Sequence, residues 1–192
     1  AENGLLMFDD VAVTLEESGL LGSKYYAENP IYPLAKTVGG VNMDALSPGS
    51  VARDVQVTGG DKSELTRYLR AAMQAMGLYE TPEDHSERGY YYRSDHFSFA
   101  KQGVPMFYLG RGSDWVHGGK AAAEAQAEEY NTKHYHRPSD EWSAMWDWSG
   151  MVQDVTLYYR LGRSLAMSKE WPNWYKTDEF RMIRDKSRAG GK

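Results

Sequence analysis

Val11-Ala12-Val13-Thr14-Leu15-Glu16-Glu17-Ser18-Gly19-Leu20-Leu21-Gly22-Ser23 is the stretch whose reading decides the fold. An apolar, β-branched run leads into two adjacent carboxylates and then a turn punctuated by Gly and Ser. This is how a buried strand delivers acidic side chains to the end of a sheet. The strand is expected over residues 5–15, interrupted at Asp9-Asp10, or shortened to 11–15 with those two aspartates marking a turn. Two neighbouring carboxylates repel, so the useful arrangement divides their roles: one binds a cation and the other holds a proton. Taken alone, a Glu-Glu pair is also ordinary in the first turn of a solvated helix, where the helix dipole favours acids. The weight therefore falls on what accompanies it.

Two later stretches supply matching chemistry. Val41-Asn42-Met43-Asp44 is a short strand ending in a carboxylate, and His134-Tyr135-His136-Arg137-Pro138-Ser139-Asp140 is a His-rich loop closed by proline. Glu, Asp and His are the ligand types that catalytic zinc accepts.

Around them the pattern alternates strands and helices. A helix is expected over Gly19–Asn29, with Ser18 as a cap and Pro30 and Pro33 ending it. Strands follow at 38–43, with Asp44 at the C-terminal end where open α/β sheets build their sites, and at 51–58. Leu65, Leu69, Ala72, Met73 and Met76 give one apolar face to a helix over 62–76, stopped at Gly77. After a polar loop over 81–89, Ser94 is placed to cap a helix over 95–102, a strand runs over 104–110, and helices are expected at 121–130 and 147–168. The tryptophans at 142, 146, 148, 171 and 174 are read as packing that caps the core or covers an edge, and the tail beyond Pro172 as an extended arm.

Composition narrows the function. The chain has 192 residues, is 41% hydrophobic and carries a formal charge of -5, so it lacks the basic surface that releases counterions from nucleic acid. No run is long enough to span a membrane, no signal peptide is evident, and no cysteine is available for disulfides or thiolate ligands. Neither nucleic acid nor a membrane is expected as a partner.

The set Glu16-Glu17-Ser18-Gly19-Leu20-Leu21-Gly22-Ser23-Lys24-Tyr25-Tyr26, Asn42-Met43-Asp44, Ser94-Asp95-His96 and Tyr135-His136-Arg137-Pro138-Ser139-Asp140 resembles the M28 family of zinc aminopeptidases in type, order and spacing. The resemblance implies a three-layer α/β/α sandwich with a mostly parallel, mixed sheet, of zinc-exopeptidase type and lacking the N-terminal strands. It implies Glu16 as general base, Glu17, Asp44 and His136 as metal ligands, Tyr135 as the residue polarising the scissile carbonyl, and Asp95 and His96 beside the substrate. Complete members hold two zinc ions. Their further His and bridging Asp ligands precede the Glu-Glu strand and have no counterpart in residues 1–10, so one ion or none is expected here.

On this reading residues 1–170 form a partial catalytic domain and 171–192 a C-terminal arm, associating as a homo-oligomer or with the missing half. The resemblance implies a secreted or periplasmic setting. Alternatives on the same scaffold are a glutaminyl cyclase-like or esterase activity, or a non-catalytic interaction module. No Gly-x-Ser-x-Gly elbow is present for a serine mechanism.

Overall fold

The computed structural model describes residues 11–44, 46–83 and 86–190. The expected course of residues 5–10, with Asp9 and Asp10, and the last two residues lie outside them. Four strands form one mixed sheet: β1 (Gly40–Asn42), β2 (Asp54–Thr58), β3 (Tyr79–Thr81) and β4 (Met106–Arg111), in the order β1-β4-β2-β3. β1 runs parallel to β4 with Gly40 opposite Met106 and Asn42 opposite Tyr108. β2 is antiparallel to β4 and parallel to β3. The α/β fold and mixed sheet expected from the sequence are present. β3 runs up to the start of the expected loop, where no strand was expected, because Tyr79–Thr81 finds a ladder partner in β2 that its short polar sequence does not advertise.

Six α-helices accompany the sheet among the described residues: α1 (Leu21–Glu28), α2 (Thr66–Ala75), α3 (His96–Ala100), α4 (Gly119–Lys133), α5 (Ser149–Ala166) and α6 (Arg181–Ala189). None is long and apolar enough to cross a membrane. The core is the apolar face of α2 against the sheet and α5. Leu65, Leu69 and Met73 meet Val55, Val57, Phe107 and Leu109, with Leu157 and Leu161 of α5 closing the cluster. These are the positions that the 3.6-residue period of α2 selects.

Residues 11–15 are not a strand. Val11 is 40% and Leu15 54% exposed, and no ladder partner lies beside them among the described residues. A strand needs a neighbour to take its backbone donors and acceptors. Instead Thr14 crosses the start of α1, where Gly22 N–H donates to the Thr14 carbonyl at 3.0 Å. The approach is so close that a Cβ on Gly22 would lie 2.2 Å from that oxygen. Ser18 does not cap α1; Leu20 precedes it in the left-handed region with no side-chain cap. Ser23, fully buried, ties α1 to α3 through the Ser98 hydroxyl at 3.0 Å.

The C-terminal segment is no extended arm. Trp174 is fully buried and its indole donates to the Gly103 carbonyl at 2.8 Å. Arg184 of α6, also fully buried, donates to the carbonyls of Leu34 and Thr37 at 3.1 and 2.6 Å, and burial lowers its pKa to about 10. The tail sequence looked polar because its buried contacts rest on a guanidinium and indoles rather than on an aliphatic stripe. Trp142 and Trp148, expected as core caps, are 69% and 44% exposed.

Two further charged side chains are largely buried. Arg111 at the end of β4 donates to the carbonyls of Ser47, Pro48 and Gly49. Asp154 of α5 stands 3.9 Å from that guanidinium, and burial pushes its pKa up to about 6. His96 in α3 is 1% exposed, edge-on to Tyr91 with centroids 4.7 Å apart and parallel to Tyr108, and burial lowers its pKa to about 4.

Replacing Gly22 with Ala is expected to leave the melting temperature within a few degrees, since the turn it holds is largely exposed. The substitution displaces Thr14, so limited proteolysis within residues 14–20 should accelerate several-fold, and unchanged cleavage would show that the crossing does not hold the turn. A histidine whose folded pKa lies below its unfolded 6.5 takes up a proton on unfolding. His96 therefore contributes fully above pH 6.5 and loses about 3 kcal/mol as pH falls through 4. Asp154, with a raised pKa, runs in the opposite direction over the same window. Urea denaturation of the native protein and of His96→Phe at pH 7 and 4.5 separates the two: the variant should gain relative stability on acidification.

Candidate active site

The turn between Thr14 and Gly22 is wound tightly. Leu20 N–H donates to the Glu16 carbonyl at 2.9 Å and Leu21 N–H to Leu15 at 3.1 Å. Closing it forces Leu15 and Leu20 to φ of 60° and 61°, a left-handed conformation that costs a leucine roughly 1 to 2 kcal/mol. Among the described residues one other non-glycine shares it: His136, at φ 57°. The three strained residues thus flank the Glu-Glu pair and occupy the His loop, and such strain persists where the surroundings over-determine it, often at functional sites.

The two segments meet. His136 Nε2 lies 2.6 Å from Glu17 Oε1, joining residues 119 apart in sequence. The Tyr135 ring stacks on the His136 ring with centroids 3.8 Å apart. His134 turns to its own loop, with Nδ1 3.0 Å from the Ser139 carbonyl, while Ser139 donates back to Lys133 and Tyr130 donates to Asp140. The loop is thereby braced on the end of α4.

Asp44 follows β1, which sets its position at the sheet's C-terminal end. Ser94 Oγ donates to Asp44 Oδ2 at 3.1 Å and accepts from Asn42 Nδ2 at 2.7 Å. Ser94 is therefore the carboxylate's holder and not a helix cap.

Charge ties the group together. The Glu16 carboxyl sits above its ordinary range, first through burial and then through the fields of Glu17, Asp44 and Asp95, with His136 opposing. Tyr135 is raised by burial and then by Glu17, Glu16 and Asp44, while Arg93 works against them. Burial, then Asp44 and Glu16, push Tyr108 up to about 12. Tyr108 and Arg93 were not picked out from the sequence. A tyrosine inside an apolar strand and an arginine immediately before Ser94-Asp95 were the signals.

Of the expected substrate residues, Asp95 joins this field, with Oδ1 buried and unbonded. α3 turns His96 into the aromatic cluster, walled by Tyr91 and Tyr108, with Asp44 close enough to act on it.

The donor types suit zinc, and Glu17 and His136 already touch. Among the described residues, however, no three His, Cys, Asp or Glu side chains converge as a metal site, and catalytic zinc uses three protein ligands. The pair is a fitting half of a first coordination sphere, with Asp44 standing apart from it.

Comparison with known proteins gives this arrangement a context. The sequence profile of Peptidase family M28 matches residues 8–160. Leupeptin-inactivating enzyme 1 of Streptomyces exfoliatus is 32% identical over 115 residues, which are 58% of this chain and 23% of that protein. The chain thus matches less than a quarter of that relative's length. The matched profile covers the Glu-Glu turn, the Asp44 strand end and the His136 loop alike, and this chain belongs to peptidase family M28, whose members are metal-dependent hydrolases generally requiring zinc.

Proposed function

We propose that this protein removes N-terminal residues from peptides, with Glu16 as general base. The observation that carries the reading is the 2.6 Å contact of Glu17 with His136 beside a Glu16 carboxyl already raised by its neighbours. Glu17 and His136 are the residues that would hold one zinc ion, with Asp44 the candidate ligand of a second. Zinc there would supply Lewis acidity and lower the pKa of a coordinated water.

The chain's own groups do the rest. Glu16 takes the proton of the attacking water and returns it to the leaving amine. Tyr135, raised in pKa and hence protonated at neutral pH, donates to the oxyanion that develops on the scissile carbonyl. The carboxylates of Asp95 and Glu16 draw the substrate's cationic α-amine to the same end of the sheet.

A second reading, of an interaction module, has its own support. Trp148, Val152, Val155 and Tyr159 recur at helical spacing on α5, and all are exposed. Partner binding that ignores both zinc and Glu16→Gln would favour it.

Zinc per chain, measured by elemental analysis alongside hydrolysis of an aminoacyl anilide, tests the first reading. Glu16→Gln should retain metal and lose at least about 100-fold in kcat. Glu17→Gln and His136→Ala should lower zinc affinity. Turnover indifferent to Glu16→Gln would sink the proposal. Ser94→Ala, which removes one hydrogen bond to Asp44, should cost about 10-fold or more in kcat/KM with little loss of stability.

A further inference from the structure

Beside Tyr135, on the side of the loop that carries His134, lies an open cavity of about 1550 Å³ between α4, α5 and the sheet. Leu109, Leu157 and Tyr158 line it together with the two buried charges, Arg111 and Asp154. Their relation is unequal. The Arg111 guanidinium is committed to the carbonyls of Ser47, Pro48 and Gly49. It fills the space beside Gly150, where a Cβ would fall 1.2 Å from Nη1. With Asp154 it keeps only a long ion pair, at 3.9 Å and beyond hydrogen-bond reach, and the Asp154 side chain is 13% exposed.

A largely buried carboxylate held by one cation at that distance gains from a closer hydrogen-bond donor. The rest of the lining favours a cation as that donor. Glu124, Glu129 and Glu141 stand on the walls, Lys120 is the basic side chain among them besides Arg111, and Trp115 and Trp146 offer ring faces. The apolar lining suits the methylenes of a long basic side chain, which buries its stem while the charged end seeks a partner.

We propose that this cavity receives a lysine or arginine side chain of the peptide substrate, selected by Asp154. The proposal rests on the peptidase reading and names the substrate class for it. A neutral side chain would leave Asp154 with only its long pair to Arg111, and an acidic one would meet the wall carboxylates.

The test compares kcat/KM of the full-length protein on arginyl, lysyl, leucyl and glutamyl anilides at low and high salt. Arginyl and lysyl substrates should exceed leucyl by about 10-fold or more at low salt, with glutamyl the poorest. Asp154→Asn should collapse the arginyl-to-leucyl ratio toward one. Glu124→Gln, at an exposed wall position, should lower the ratio by a smaller factor and weaken its salt dependence. Equal or better leucyl turnover, or a ratio unmoved in a folded Asp154→Asn protein, overturns the proposal.

Binding of arginine amide against norleucine amide, followed by tryptophan fluorescence, needs no turnover. If no anilide is hydrolysed but arginine amide binds and Asp154→Asn abolishes it, the peptidase reading fails and the cation pocket stands. Failure of arginine amide to bind more tightly than norleucine amide removes the pocket.

Discussion

The parallel pairing of β1 with β4 is the constraint on which the site depends. Three residues of β1 are held by one partner, and the end of that short strand is where Asp44 emerges. Glycine makes the pairing possible: a Cβ on Gly40 would lie 2.7 Å from Met106 Sδ, and one on Gly39 would meet Leu65 at 2.9 Å. Because Asn42 is the last residue of β1, its amide reaches Ser94 and through it Asp44. One backbone ladder thus sets a strand, a hydroxyl and a carboxylate in register.

Everything else at the site hangs from segments that are not in the sheet. The Glu-Glu turn is held by its own backbone bonds and by the crossing of Thr14 over α1, and the His loop by its brace on α4. Two irregular segments meet there, joined by the 2.6 Å contact between His136 and Glu17. The cost is visible in the left-handed leucines and histidine, which the surrounding hydrogen bonds must offset.

Where side-chain period and burial agree, the sequence was a good guide. The face of α2, the strands carrying Val41, Val55 and Val57, and α5 follow from apolar spacing, because each packs on one large cluster; β1 ends at Asn42, one residue before the expected 43. The motif residues Glu16, Glu17, Asp44, Tyr135 and His136 are also drawn into one electrostatic neighbourhood. What was not legible depended on partners far along the chain. Residues 11–15 have strand chemistry, but chemistry alone does not supply a neighbouring strand. His96 has ligand chemistry, yet the turn of α3 seats it between two tyrosines. The polar tail conceals Trp174 and Arg184, whose burial depends on carbonyls that no periodicity reveals.

Arg184 carries a consequence for how the protein is made. Its guanidinium supplies donors to the carbonyls of Leu34 and Thr37, which lie on the approach to β1, and the Thr37 contact spans 147 residues. A ribosome adding about 5–20 residues per second needs on the order of 10 s to pass from one to the other. Throughout that interval the approach to the Asp44 strand waits without its last donor. The strand end that presents Asp44 is therefore completed only once Arg184 has been added and has folded back onto it.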